Sequence, residues 1–415
     1  MLQRPKGTSD VRSPDVEIFQ GVEALFRTMA ARFGFSEIRT PTFEATELFL
    51  RGAGATSDIV RKEMYTFSDR AGRSLTLRPE STASVVRAYI ESKALGLAKY
   101  AYIQAHFRYE KPQKGRLREH HQFGLETLGA ASPIADAEII DFLFAFLGEA
   151  GLRGLSVALN SIGDEACRPA YRAALVAFFT PRRDELCGDC RARLETNPLR
   201  ILDCKEEGCA SHHPDVPKST DHLCDACRQH FDGLLEALAE LGHPYTLDHR
   251  IVRGIDYYTR TVFEISHASL GAQSALCGGG RYDGLSELLG GPPLPGVGFG
   301  MGVERLVMTL EAMGRTGGMD LSRALYVALP DASLAPVALR EAAKLRRRGL
   351  TIEVDLTGRS LKGQLRTAQK DGYGFAAVLG PKEAEAGEAV VRDMTASTQE
   401  AVSLVDLGTY LEGRQ

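Results

Sequence analysis

No run of 18 or more apolar residues occurs in this 415-residue chain, which excludes a transmembrane helix. Positive charge is also in short supply, since 50 Lys and Arg against 54 Asp and Glu leave a net charge of −4. A generally basic nucleic-acid coat is thereby excluded, and a polyanionic partner has to be met by local patches. The opening residues, Met1-Leu2-Gln3-Arg4-Pro5-Lys6-Gly7-Thr8-Ser9-Asp10, lack the apolar core of a signal peptide, so a cytoplasmic location is expected. With 44% hydrophobic and 25% charged residues, the composition is that of a globular protein. The chain is too long for one core, and two or three domains are expected.

Cysteine is present and unevenly placed. Six of the eight Cys fall in one window, at 187, 190, 204, 209, 224 and 227. In a reducing compartment these are thiols or metal ligands rather than disulfides. Cys187-Gly-Asp-Cys190 and Cys224-Asp-Ala-Cys227 are C-x2-C knuckles with 33 residues between them, more than the roughly 15–20 of a zinc ribbon. Cys187, Cys190, Cys224 and Cys227 are therefore candidate zinc ligands, but the wide gap favours reduced buried thiols, and no metal is assigned.

The first 130 residues read as helices interleaved with alternating strands. Ser13-Pro14-Asp15 starts a helix, with Ser13 as N-cap, and Val16, Phe19, Val22, Leu25, Phe26 and Met29 continue it at helical spacing. Strands are expected at 36–40 and 74–78, and a helix at 82–95. This is an α+β pattern with an antiparallel sheet. Residues from about 170 to 240 read as a polar, loop-like insertion ending in an apolar helix from Phe231. Strand character returns at 245–251 and 261–266. From about Ala324, three apolar strands at 324–329, 351–355 and 374–379 alternate with helices, as in a small α/β domain. The expected domains are residues 1–320, interrupted by the insertion, and 321–415.

The stretch from Phe107 to Glu126 is the most informative. Five basic side chains surround a Pro/Gly turn between two alternating strands, which is a hairpin that projects guanidinium groups from a sheet. Arginine meets phosphate oxygens with a planar fork. Glu119, Gln122 and Glu126 on the return strand are placed to hold a small cationic ligand. A solvated basic loop is the simpler reading of a charged turn, but the carboxylates on the return strand weigh against it. Glycines at 296, 298, 300 and 302, followed by Glu304-Arg305, strip one face of a strand so that a flat ligand can lie on its backbone. They do not form a dinucleotide fingerprint. Arg253-Gly254-Ile255-Asp256-Tyr257-Tyr258-Thr259-Arg260 brings cations and aromatic hydroxyls to a turn. Cys277-Gly278-Gly279-Gly280-Arg281-Tyr282-Asp283-Gly284 is a second Gly-rich turn. Lys362, Arg366 and Lys370 share one face of a helix starting at Ser360, either a solvated face or a track for a nucleic-acid backbone.

Together these clusters resemble class II aminoacyl-tRNA synthetases. The first helix, strand and Pro41 resemble motif 1 of that class, residues 107–126 motif 2, and 296–305 motif 3. The stretches 253–264 and 279–284, with Thr76-Leu77-Arg78-Pro79-Glu80 and the Ser360 helix, are similar to the histidyl-tRNA synthetase family over nearly the whole chain. The resemblance implies a class II-like α+β catalytic domain with an antiparallel sheet, an inserted small domain and a C-terminal α/β anticodon-binding domain. It implies L-histidine, ATP with Mg2+, and tRNA(His) as substrates, and a homodimer through motif 1. Glu80, Thr82 and Gln122 would hold the α-ammonium group. Glu126 and Tyr258 would bond the imidazole nitrogens, with Tyr257 and Tyr282 shaping the pocket. Arg108 and Arg253 would meet the α-phosphate from opposite sides as the catalytic cations, both also bordering the histidine. Glu110 would lie by the adenine, and Arg116 and Arg305 would grip the triphosphate. Ser81 stands where the family usually has Gly; its added hydroxymethyl reaches toward the histidine pocket but is small enough that activity is expected to survive. Arg118 has no assigned role beyond a hypothetical contact with the tRNA acceptor end. The competing expectations are a regulatory paralogue of ATP phosphoribosyltransferase and a non-catalytic histidine or tRNA sensor. The first typically loses the C-terminal domain and part of the histidine motif, and the second loses the arginines of motifs 2 and 3.

Overall fold

The structure, a computed structural model, describes all residues except 1, 55, 56, 58, 114, 253, 268–274, 319 and 415. The expected catalytic Arg253 and the hairpin residue Lys114 thus lie outside the described residues. The chain divides into two compact units, 1–317 and 318–415.

Unit one contains strands β1 (Ser36–Glu37), β2 (Phe43–Ala45), β3 (Tyr65–Ser68), β4 (Ser74–Leu77), β5 (Ala98–Phe107), β6 (Glu119–Leu128), β7 (Leu155–Ser161), β8 (Tyr245–Leu247), β9 (Thr259–His267), β10 (Ala275–Arg281) and β11 (Gly296–Gly302). Eight of them form one sheet in the order β1-β5-β6-β11-β10-β9-β7-β8, and β2-β4-β3 form a small second sheet. The large sheet is antiparallel except at its two edges, where β1 runs parallel to β5 and β8 parallel to β7. Period-2 alternation decides what each face carries. Phe123 and Leu125 of β6 and Val297, Phe299 and Met301 of β11 point to one face, where helices Asp15–Arg32 and Pro133–Glu149 cover them. Phe26 stacks on Phe123 with ring centroids 4.6 Å apart, and Phe142 meets Phe26 edge-on at 5.7 Å. Gln122, Gly124, Glu126 and the β11 glycines point to the opposite face, which carries the site.

Several boundaries differ from the sequence reading. Helix Asp15–Arg32 has Pro14 at its N-cap position and no side-chain cap, so Ser13 is not the cap. The strand at 36 ends at Glu37. The helix from Thr82 stops at Glu91, and Lys93 soon takes a left-handed φ of 54°. The strand at 245 pairs only to Leu247, because a turn closed by Ile251 N–H donating to the Asp248 carbonyl (3.1 Å) follows. The insertion is largely helical rather than loop-like. It contains helices Arg168–Phe179, Gly188–Thr196 and Asp225–Glu240 with short 3-10 turns between them, and it packs within unit one.

Unit two is a five-stranded sheet, ordered β13-β12-β14-β15-β16, from β12 (Leu325–Ala328), β13 (Ile352–Val354), β14 (Phe375–Val378), β15 (Glu388–Asp393) and β16 (Gln399–Ser403). The first three are parallel, and β12, which lies between β13 and β14, is buried along its whole length, as a strand covered on both faces must be. Antiparallel β15 and β16 were not legible in the sequence, because their polar, half-exposed residues lack an apolar run. In helix Leu361–Asp371 the buried positions are Gln364 and Ala368, while Lys362, Arg366 and Lys370 share the exposed face. Ser360 caps it, accepting from Gly363 N at 3.4 Å.

Candidate active site

The β5–β6 hairpin is the scaffold, pairing Phe107 with Glu119 and Gln104 with Gln122. Its turn is closed by Arg108 N–H donating to Arg118 carbonyl (2.8 Å) and by a bridge between Gln113 and Arg116, with Gly115 at φ 74°. Arg118 fastens the turn from outside. Its guanidinium lies 3.9 Å from the Tyr109 ring centroid, its Nε donates to the Glu110 carbonyl at 3.2 Å, and its backbone N–H donates to Gly7 at 2.7 Å. The base of the hairpin is tied to the helix after β11, where Glu304 accepts from His121 N (2.8 Å) and bonds its Nδ1 (2.9 Å). That contact raises the His121 pKa.

Next to this hairpin is a cavity of about 840 Å³. Arg108, Arg116 and Arg305 border it from β5, the turn and the helix Val303–Ala312. Arg305 Nη1 donates to the Ala275 carbonyl at 2.6 Å. Burial and the nearby Arg116 cation both lower its pKa. Glu110 lies 3.4 Å from Arg116 and 4.0 Å from Arg108, so the carboxylate holds both guanidiniums toward the cavity. Arg108 Nε is fixed by the Pro79 carbonyl at 2.8 Å.

Beside the arginines, Glu80, Ser81, Thr82, Gln122, Tyr257 and Tyr258 border the same cavity. The Glu80 carboxylate accepts from Ala83 N at 3.1 Å, at the N-terminus of helix Thr82–Glu91. Burial raises its pKa against that bond. His120 is held neutral, its pKa lowered to about 3 by burial and then by the Arg108 charge. The Ser81 hydroxyl does not project into the cavity. It is turned inward, 2.7 Å from Gln104 Oε1 and 2.6 Å from His106 Nε2.

Glu126 and Tyr282 lie behind this wall rather than on it. Glu126 is fully buried and accepts from Thr82 Oγ1 (2.7 Å), from the Tyr102 hydroxyl (3.5 Å) and from the Tyr282 hydroxyl. Burial raises the Glu126 carboxyl against the opposing pull of the Tyr282 and Thr82 hydrogen bonds, and leaves it at about 8. The alternating glycines explain how this carboxyl fits. A Cβ at Gly298 would stand 1.9 Å from Glu126 Oε2, and one at Gly296 would stand 2.3 Å from the Tyr282 ring. The stripped face of β11 is thus filled by the protein's own Tyr282 and Glu126 at its first half, and only Gly300 and Gly302 face the open cavity.

Tyr102, Arg193 and Arg200 are among the cavity residues that escaped the sequence reading. Tyr102 sits on the cavity wall above Gly124, where a Cβ would lie 2.1 Å from its Cζ, so the glycine inside β6 was the available signal. Arg193 and Arg200 reach the cavity from the insertion, with no signal that tied the insertion to the site. The glycines expected as a second turn at 278–280 lie instead in strand β10, which ends at Arg281; that residue is fully buried, with Nη1 donating to Asp283 (3.0 Å) and the Ala130 carbonyl (2.9 Å). Its Nε and Nη2 hold the equally buried Asp136. It locks β10 onto the helix layer.

An antiparallel sheet of this topology, a guanidinium-lined cavity on its open face and a separate small α/β unit define the class II aminoacyl-tRNA synthetase architecture. Residues 7–164 and 204–306 match the family model "Histidyl-tRNA synthetase", and residues 324–414 match "Anticodon binding domain". The chain belongs to the histidyl-tRNA synthetase family. It is 49% identical over 413 residues to the histidine–tRNA ligase of Caldanaerobacter subterraneus subsp. tengcongensis, covering 98% of each chain. Among solved structures, apo histidyl-tRNA synthetase of S. aureus aligns with a TM-score of 0.80 at 36% identity, over 99% of this chain and 100% of that one. A Bacillus halodurans C chain titled ATP phosphoribosyltransferase regulatory subunit/histidyl-tRNA synthetase shares the fold at 23% identity and a TM-score of 0.63, over 92% and 98%.

Proposed function

We propose that this chain is a histidine–tRNA ligase that first joins L-histidine to ATP, giving histidyl-adenylate and pyrophosphate, and then passes histidine to the 3′ end of tRNA(His). The observation that carries this reading is the adjacency, in one cavity, of the cluster Arg108, Arg116 and Arg305 with Glu80, Thr82, Gln122 and Tyr258. In the first step the histidine carboxylate attacks the α-phosphorus and the bond to the pyrophosphate oxygen breaks. The nucleophile is already an anion, so the protein needs no general base. It needs positioning and charge neutralisation around a five-coordinate phosphorus. Arg108 and Arg253 meet the α-phosphate, while Arg116 and Arg305 receive the leaving pyrophosphate. Mg2+ enters with the nucleotide, and Glu110 faces the adenine.

Glu80 and Gln122 take the substrate's ammonium group, helped by Thr82. Glu126 and Tyr258 take the imidazole, with Tyr257 and Tyr282 packing around it. For the ring to reach Glu126, the Thr82 and Tyr102 hydroxyls give way to the imidazole N–H. In the second step a ribose hydroxyl of the tRNA attacks the acyl carbon and AMP leaves.

The exposed basic face of helix Leu361–Asp371 supports tRNA contact by unit two. Phe43, two residues past Pro41, and Phe67 are 51% and 43% exposed with ring centroids 6.3 Å apart, which supports the homodimer expected through motif 1. A tRNA substrate supports the expected cytoplasmic location; separately, among the described residues no helix is long and apolar enough to cross a membrane. The arginines of motifs 2 and 3 and the presence of unit two disfavour both the regulatory and the sensor readings. Histidine-dependent ATP–pyrophosphate exchange tests the proposal. It is expected from the wild type and is expected to fall about 10²–10³-fold in Arg108→Ala. Exchange that is independent of histidine contradicts it.

A further inference from the structure

The two C-x2-C knuckles do not face each other. Cys187 and Cys190 gather with Cys204 and Cys209, and Cys224 and Cys227 gather with Cys167 and Asp164, each set with its ligand atoms within 4.8 Å of one another. We propose that these are two separate structural zinc sites, one of four cysteines and one of three cysteines with an aspartate, which brace the insertion against the catalytic cavity.

Zinc at about 2.3 Å from tetrahedral thiolates separates the sulfurs by about 3.8 Å, and about 2.0 Å to a carboxylate oxygen gives a sulfur–oxygen edge near 3.5 Å. In the first site Cys187 and Cys204 sulfurs are 3.9 Å apart. In the second, Cys167 and Cys224 sulfurs are 3.6 Å apart, and Asp164 Oδ1 lies 3.3 Å from Cys167 and 3.9 Å from Cys224. All eight Cys are unpaired by disulfides, and Cys190, Cys209 and Cys227 are fully buried. Asp164 Oδ1, which also accepts from Ala166 N at 3.0 Å, supplies a hard oxygen beside three sulfurs, and thiols packed as plain apolar groups have no use for that set. A divalent cation uses it, because it converts mutual repulsion into ligation.

The peptide backbone is arranged for thiolates as well. Cys187 and Cys224 occupy the N-cap positions of helices Gly188–Thr196 and Asp225–Glu240, where the macrodipole favours an anion. Cys190 N–H points at Cys187 Sγ (3.4 Å), Cys187 N–H at Cys209 Sγ (3.2 Å) and Asp164 N–H at Cys167 Sγ (3.4 Å). Asp164 Oδ2 is 3.5 Å from Arg260 Nη2, a cation that offsets the excess negative charge of three thiolates and a carboxylate. In sequence each site is a pair of short knuckles. The first is Cys187-x2-Cys190 with Cys204-x4-Cys209, and the second is Asp164-x2-Cys167 with Cys224-x2-Cys227. Soft thiolates in a closed four-ligand set select zinc in a structural role.

The first site holds the segment that carries Arg193 and Arg200, and its own Cys187 and Cys204 border the cavity. The second sits where the Arg260 and Ile162 backbones pair (2.8 Å), two residues past Tyr258. Only this link to the cavity rests on the proposed function; the ligand sets stand without it.

Elemental analysis of the full-length protein, purified without chelators, tests the proposal. About two zinc per chain is expected, with Cys190→Ser and Cys227→Ser each losing a different one and the double variant losing both. Cobalt-substituted wild type should show thiolate-to-cobalt charge transfer and tetrahedral d–d bands, a readout that needs no variant to fold. Metal-free protein with eight freely titrating thiols overturns the proposal. So does a single zinc lost equally in both single variants, since that is a site shared by the two knuckles. If both zincs are present but their removal leaves the KM for histidine and ATP unchanged, the bracing role fails while the proposed ligase activity stands.

Discussion

Glu126→Gln separates recognition from stability in one substitution. Unfolded, Glu126 gives up its proton near the ordinary value of 4.5, whereas in the ligand-free fold burial holds the proton to about 8. Between those values the native state binds more protons than the unfolded one, so this group's contribution to stability is full at acid pH. It is lost as pH rises toward 8, and flat above. A shift of that size corresponds to roughly 3–5 kcal/mol against the fold at pH 8. Glutamine keeps the shape, an oxygen to accept from Thr82 and an amide to donate to Tyr282, but it has no charge to desolvate. The variant should therefore melt a few degrees higher than wild type at pH 8, with the gap closing toward pH 5. Histidine activation should move the other way. An imidazole N–H that meets a neutral amide, in a pocket built for a carboxylate, should cost about 10²-fold or more in kcat/KM for histidine, with ATP affinity nearly unchanged. Thermal melts across pH, paired with pyrophosphate exchange at varied histidine and ATP, measure both. A variant that melts lower than wild type at every pH, or that loses histidine and ATP equally, refutes this account of Glu126.

Other expectations follow from single contacts. Arg253→Ala should reduce adenylation about 10²–10³-fold while leaving the melting temperature in place; near wild-type pyrophosphate exchange contradicts its role at the α-phosphate. Arg118→Ala was open to a role at the tRNA end alone. Because Arg118 fastens the turn that carries Arg108 and Arg116, it should raise the KM for ATP in the exchange assay as well as slow transfer, and an effect on transfer alone rejects this. Gly298→Ala places a Cβ 1.9 Å from Glu126 Oε2 and 2.4 Å from the Leu125 carbonyl, and should destabilise by about 3 kcal/mol or fail to fold, as read by denaturant midpoint. Arg281→Ala leaves buried Asp136 with only His230 Nε2, 3.4 Å from its Oδ2, in place of the guanidinium, and should cost about 3 kcal/mol in the same measurement, with part recovered when Asp136→Leu is added.

What was legible in the sequence was what lies along single segments. The β5–β6 hairpin, the glycine-alternating β11 and the helix carrying Arg305 announce themselves by period and turn chemistry. Their residues Arg108, Arg116, Gln122 and Arg305 meet at one cavity. What was hidden depends on contacts between segments. The glycines at 296 and 298 suggested open space for a ligand, yet they make room for Tyr282 and Glu126. Arg281 was grouped with residues at the tip of a turn, and only the burial of Asp136 across the sheet reveals its structural part. The cysteines were matched by the likeness of their C-x2-C spacing, whereas the fold groups each knuckle with residues outside the other.

The central claim is tested most directly by incubating the pure protein with ATP, Mg2+, radiolabelled histidine and tRNA(His), and counting label in precipitated tRNA. The account predicts histidine-specific charging that disappears in Arg305→Ala and Arg108→Ala. No charging by a folded protein that still binds histidine, coupled with stimulation of an ATP phosphoribosyltransferase, contradicts it.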